Sequence, residues 1–304
     1  MSGVLAELAL VALLVGMLVA SVWDILQREV PDGCWQVMGI VGAGLGAVLL
    51  SSNSSALGLV LWLLVGGLAV EHFFDWETPL HRRSQLAGRW IELSAFVACV
   101  VAVAVAIGLY GLSARGVPDA VVATLAVVVI ARALYEVGAL WGAADARALM
   151  AMSVLVPLSP ATLLVLPAPA QQFADVVPFA LNALINGLVL VVIAVPVTIA
   201  VLNLRRKEFS ARDGFVSYTI PVGDLARRYV WVRERRERRA ETAERAMTSE
   251  EDRQGRSVAA RELAARGVDR VRVTPQIPLV AFLAAGALLA WVAGNLLANL
   301  FALR

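Results

Sequence analysis

Two aspartates stand where carboxyl chemistry can be done. Asp24 lies in Ser21-Val22-Trp23-Asp24-Ile25-Leu26-Gln27-Arg28-Glu29-Val30-Pro31, where a long apolar run gives way to charge. Asp145 lies far down the chain, in Trp141-Gly142-Ala143-Ala144-Asp145-Ala146-Arg147, which opens another apolar run. In both places an arginine follows the carboxylate within four residues. Two adjacent carboxyls can hydrolyse an amide: one activates water while the other supplies a proton to the tetrahedral intermediate. Held close they cannot easily ionise together, so they share a proton and titrate as a unit. Neither aspartate alone is therefore assigned as acid or base.

Apolar helices must position them. The 304 residues are 60% hydrophobic and 16% charged, with a mean hydropathy of +0.76. A soluble chain of this length buries a full core with far less apolar sequence, so the composition points to a multi-pass protein of the cell membrane. A net charge of +2 argues against a nucleic-acid partner. The apolar N-terminal run lacks a basic start and a small-residue cleavage site, and reads as a helix that stays attached rather than a secretory signal.

A bilayer core about 30 Å thick takes roughly 20 apolar residues per helix. Eight stretches fit: 4–23, 34–51, 56–74, 91–111, 119–140, 145–167, 177–203 and 278–301. The expected fold is an all-α integral membrane protein of about eight spans, its N-terminus outside. That orientation places 23 of the 26 Lys and Arg on the cytoplasmic side, the asymmetry of the positive-inside rule. Four helices then separate Asp24 from Asp145. An even number puts both at the cytoplasmic face; an odd number would have parted them by a bilayer's thickness.

Residues 1–204 read as the membrane domain, 205–277 as a charged cytoplasmic segment, partly helical, and 278–304 as the final helix. Within the charged segment, 209–222 suits a small ordered lobe. Residues 227–266 are rich in Arg, Glu and Ala and suit a solvated helix with opposite charges at helical spacing. Its basic excess suits contact with anionic headgroups of the bilayer.

The two aspartate segments resemble those of the type IV prepilin peptidases, most closely the archaeal prepilin and preflagellin branch of the GxGD membrane aspartyl proteases. The family's first motif, an Asp ending the first helix and followed by a basic residue and a Pro, matches Asp24, Arg28 and Pro31. Val30-Pro31-Asp32 and Trp35 are also similar. Its second, a Gly-x-Gly-Asp sequence before a basic residue, corresponds to Gly142-Ala143-Ala144-Asp145 with Arg147. Ala144 stands where the family has Gly, and Arg147 where Lys is usual. The interval between the aspartates is long for the archaeal branch and implies an extra helix pair, placed among 56–111. Phe209, Ile220-Pro221-Val222 and Thr274-Pro275-Gln276-Ile277-Pro278 are similar too. The resemblance implies catalytic roles for Asp24 and Asp145, and cleavage of a short basic leader from prepilin-like membrane substrates at the cytoplasmic face. It implies no cofactor. The paired Cys-x-x-Cys motifs of the methylating bacterial branch do not occur, so a peptidase alone is expected. Glu29 and Asp32 are candidates to meet the leader's positive charge.

Other features have plainer readings. Cys34 and Cys99 read as packing residues. The segment Glu71-His72-Phe73-Phe74-Asp75-Trp76-Glu77 with His81 has no helical histidine spacing and reads as structural, with no metal expected. Gly42-Ala43-Gly44-Leu45-Gly46 lies inside an apolar run and reads as helix packing rather than a phosphate loop. Arg132 and Glu136, four apart, read as a mutually neutralising pair, and Asn182 and Asn186 as hydrogen-bonding across one helix face. The competing functional reading is a small transporter with Asp24, Asp145, Arg132 and Glu136 along its pathway. Such charges belong near the bilayer midplane, not at one face. A third reading is a relative that has kept the fold and lost activity.

Overall fold

In the computed structural model, residues 2–51, 56–71, eight positions between 94 and 108, 119–140, 142–160, 162–164, 176–211, 213–232 and 249–302 are described. The run 91–111 lies mostly outside them, as do Cys99 and the histidine-containing segment beyond Glu71.

Among the described residues six apolar helices come first along the chain, and the N-terminal one has two faces. Helix α1 (Ser2–Gln27) buries Leu10, Leu13, Met17, Ala20, Ser21 and Asp24, at alternating intervals of mostly three and four. Its opposite stripe, Val4, Leu8, Val11, Val15, Leu18, Val22 and Ile25, is exposed. An exposed stripe so uniformly aliphatic suits lipid rather than water. Three helices among the described residues are long and apolar enough to cross a bilayer: Val4–Gln27, Asp32–Ser51 (α2) and Phe179–Arg205 (α6). Helix α3 (Ala56–Glu71), α4 (Asp119–Glu136) and α5 (Ala143–Leu155) complete the first six.

Helix α5 is the centre of the bundle. Every residue from Ala146 to Leu155 is buried, by α2, α4 and α6 in turn. A helix apolar on all sides has no lipid-facing stripe to extend. It is shorter than the expected 145–167, at about 20 Å by helical rise, because Pro157 forbids helical geometry at Val156, which sits at φ −134°. The chain then turns outward. Leu163 and Leu164 donate to the carbonyls of Trp291 and Val292 at 3.2 and 2.9 Å.

Close packing sets the helix spacings. A Cβ on Gly42 would lie 2.9 Å from the backbone of Leu155 on α5, and Gly46 lies against the Trp62 ring of α3. Gly42 and Gly46 are thus packing residues, as expected, whereas a Cβ on Gly44 would meet open space. Cys34 is half-buried, with its Sγ 3.9 Å from the Gly16 carbonyl. Arg132 and Glu136 form their expected ion pair.

The run 278–301 is two helices, α8 (Leu279–Ala293) and α9 (Leu296–Ala302), rather than one. Gly294, at φ +67°, makes the break, a conformation that costs other residues strain. Asn186 of α6 satisfies the freed backbone, donating to Gly294 O at 2.8 Å and accepting from Leu296 N at 2.9 Å. Asn295 donates to Asn182 at 2.8 Å. The two asparagines therefore bond across their face, and what they stabilise is a helix break.

The fold is mostly helical, as expected, and adds one small sheet among the described residues. After α6, a lobe carries strands β1 (Tyr218–Pro221), β2 (Val230–Val232) and β3 (Arg270–Pro275), with β3 central and antiparallel to both. Alternation makes β3 a strand: Val271 and Val273 point into a small core with Ile220, Leu225 and Val230, while Arg270 and Arg272, alternating with them, face away. Ile199 of α6 reaches into the same core, and helix α7 (Ser249–Ala265) closes it with Ala259. Arg272 and Arg270 pair with Asp213 at 2.8 Å and Glu208 at 2.7 Å, tying β3 to the turn after α6.

Candidate functional site

One end of the bundle gathers the end of α1 and the starts of α2, α5 and α8. Asp24 arrives there because it continues the inward stripe of α1, one turn beyond Ala20. It is 8% exposed. Asp145 arrives on the first turn of the central helix, partly open to the surface, and within direct electrostatic range of Asp24. The two carboxyls singled out by sequence therefore lie at the same end of the bundle, with their charges in range of each other.

Each carboxyl is held by backbone N–H groups. Asp24 Oδ2 accepts from Val280 at 3.0 Å and Ala281 at 3.4 Å, the second and third residues of α8. These are donors that a helix cannot satisfy internally, and the residue preceding α8 is Pro278, which has no side-chain cap to offer. Asp24 thus caps a helix 256 residues away in sequence. Asp145 is the third residue of α5, and its carboxylate takes the backbone hydrogen bond of Gly142, the residue before that helix. This is the returning half of a capping box. A Cβ at Gly142 would lie 3.3 Å from Asp145 Oδ2, so a residue without a side chain keeps that side of the carboxylate open. Ala144 is partly buried against the bundle core, where a methyl group is accommodated.

The remaining motif residues position these two. Arg28 ends α1 four residues after Asp24, its N–H bonded to Asp24 O at 3.1 Å. It has φ +58°, a left-handed conformation that costs a non-glycine residue about 1–2 kcal/mol. Such a conformation persists where surrounding contacts over-determine it. Its guanidinium lies in electrostatic range of Asp24 and 5.5 Å from the ring centroid of Tyr229. Pro31 immediately precedes α2, its carbonyl accepting from Cys34 N at 2.9 Å, and Asp32 lies in the first turn. Asp32 forms an ion pair with Arg147, whose side chain is 6% exposed. That pair joins the start of α2 to the start of α5. Asp32 therefore has a partner within the chain, where the leader's positive charge was expected. Trp35, one turn on, is fully buried.

Sequence reasoning missed three parts of the site: the N–H groups of α8, Tyr229, and Arg256 of α7, whose guanidinium lies 5.3 Å from the Tyr229 ring centroid. The free N–H groups after Pro278 were inferable, but nothing local names Asp24 as their acceptor. No group of three or more His, Cys, Asp or Glu side chains suited to a metal occurs among the described residues. No family model matches the chain, and a search of curated proteins finds no match.

Proposed function

We propose that the chain is a membrane-embedded aspartyl endopeptidase of the prepilin-peptidase type, cleaving the basic leader of prepilin-like substrates at the cytoplasmic membrane face. The observation that carries this reading is the convergence of Asp24 and Asp145, 121 residues apart in sequence, at one end of an apolar helix bundle. A water between the carboxyls would lose a proton to one as its oxygen attacks the scissile carbonyl. The other would protonate the departing nitrogen as the C–N bond breaks. A substrate with a polar leader and an apolar helix presents its scissile bond at the height where the pair lies. The eight spans and the outside N-terminus belong to the same proposal, supported by the placement of Lys and Arg in the sequence.

The site also favours a second reading, in which the fold is kept and Asp24 serves only as the cap of α8. Cleavage of a prepilin-like substrate by membranes containing the protein separates the two. Asp24→Asn retains an oxygen acceptor for Val280 and Ala281 but not the acid–base function. Loss of cleavage in both Asp24→Asn and Asp145→Asn supports the dyad. Retained cleavage in either refutes it, and no cleavage by the unmodified protein favours the capping reading.

A further inference from the structure

We propose that Tyr229 is a positioning residue for Asp24, and the point at which the cytoplasmic lobe controls the carboxylate pair. It touches both backbone routes that lead to Asp24. On the first, its hydroxyl donates to Leu26 O at 3.2 Å, in the last turn of α1, where a helix leaves its carbonyls unsatisfied. On the second, its carbonyl accepts from Gln276 N at 3.0 Å, in the short link from β3 to α8. Four and five residues further on are Val280 and Ala281, whose N–H groups hold Asp24.

Between these contacts the ring lies close to two guanidiniums, Arg28 of the α1–α2 turn at 5.5 Å and Arg256 of α7 at 5.3 Å from its centroid. Arg28 Nε and Nη1 are buried and make no hydrogen bond among the described residues. The ring face and the Asp24 charge both act on this side chain. The backbone of Arg28 is itself in the left-handed conformation, so a change at the ring acts directly on the turn that follows Asp24. Arg256 is 8% exposed and belongs to the lobe. A displacement of α7 would thus reach Asp24 through one aromatic ring.

The proposal deepens the peptidase reading and rests on it only for its kinetic test. The full chain in liposomes is compared with Tyr229→Phe, which keeps the ring, Tyr229→Leu, which removes it, and Arg256→Gln, which weakens the stack without touching α1. Reaction of Asp24 with dicyclohexylcarbodiimide, quantified by peptide mass spectrometry, reports its setting independently of activity. Labelling is expected to rise about threefold in Tyr229→Leu and Arg256→Gln, the population shift that loss of one cation–π contact corresponds to, and to rise less in Tyr229→Phe, which loses only the hydrogen bond to Leu26 O. On a prepilin-like substrate, kcat should fall about tenfold or more in Tyr229→Leu with KM little changed, since misplacement of a reacting group costs rate rather than binding. Unchanged Asp24 labelling in Arg256→Gln, or in a folded Tyr229→Leu, overturns the proposal. A protein that cuts no substrate but shows the labelling pattern overturns the peptidase reading and leaves Tyr229 as the residue that positions Asp24.

Discussion

Asp24 is assigned two jobs, and substitution can separate them. Replacing it by alanine removes the acceptor of Val280 N at 3.0 Å and Ala281 N at 3.4 Å. Val280 is 1% exposed, so its N–H is poorly placed to bond water instead. A buried donor left unsatisfied costs about 1–3 kcal/mol, and loss of an N-cap typically about 1 kcal/mol. The longer bond to Ala281 is the weaker, and the two donors share one oxygen, so their costs do not add in full. Asp24→Ala should therefore be about 2 kcal/mol less stable than Asp24→Asn, whose amide oxygen still caps α8. Both variants should be inactive. The assay is reversible unfolding by SDS titration in mixed micelles, run beside cleavage of a prepilin-like substrate. Equal stability of the two variants would show that the α8 contact contributes nothing, and would remove the argument that α8 sets the position of Asp24. Activity in Asp24→Asn would instead remove the dyad.

Three further outcomes follow from the same packing. A Cβ on Gly286 of α8 meets Ala183 O and lies 2.6 Å from Gly187 N of α6, so Gly286→Leu must push the helices apart. It should cost about 3 kcal/mol in the same titration and reduce cleavage by displacing the cap of Asp24. Asn186→Leu strands Gly294 O and Leu296 N and should cost about 3 kcal/mol, with Asn186→Gln recovering little because its reach differs. For the pair between Arg147 and Asp32, whose carboxylate side chain is 48% exposed, solvent screening limits the coupling. A double-mutant cycle with Asp32→Asn and Arg147→Gln should return about 1 kcal/mol, and a value near zero would discount the pair as the link between α2 and α5.

The carboxylates could be read from sequence because their signals are local. Asp24 continues an apolar stripe with helical spacing, and Asp145 stands three residues past a glycine that opens a helix, so each pattern fits within a dozen residues. The breaks in helices were also local, though apolar length concealed them. Pro157 stops α5 and Gly294 divides the last run, while a count of hydrophobic residues passes through both. In the lobe, charge concealed a strand: Arg270-Val271-Arg272-Val273 alternates with a period of two, yet its arginines resemble those of the helical stretch before it. The contacts that finish the site have no such signature. Tyr229 lies 203 residues from the carbonyl it binds, and Val280 lies 256 from the carboxylate it holds. These pairings exist because α6 and α8 approach through Gly187 and Gly286, and because Ile199 anchors the lobe core to the end of α6. The small residues of the helix seam therefore bear on the chemistry: the spacing that they permit between α6 and α8 determines where the N–H groups of Val280 and Ala281 meet Asp24.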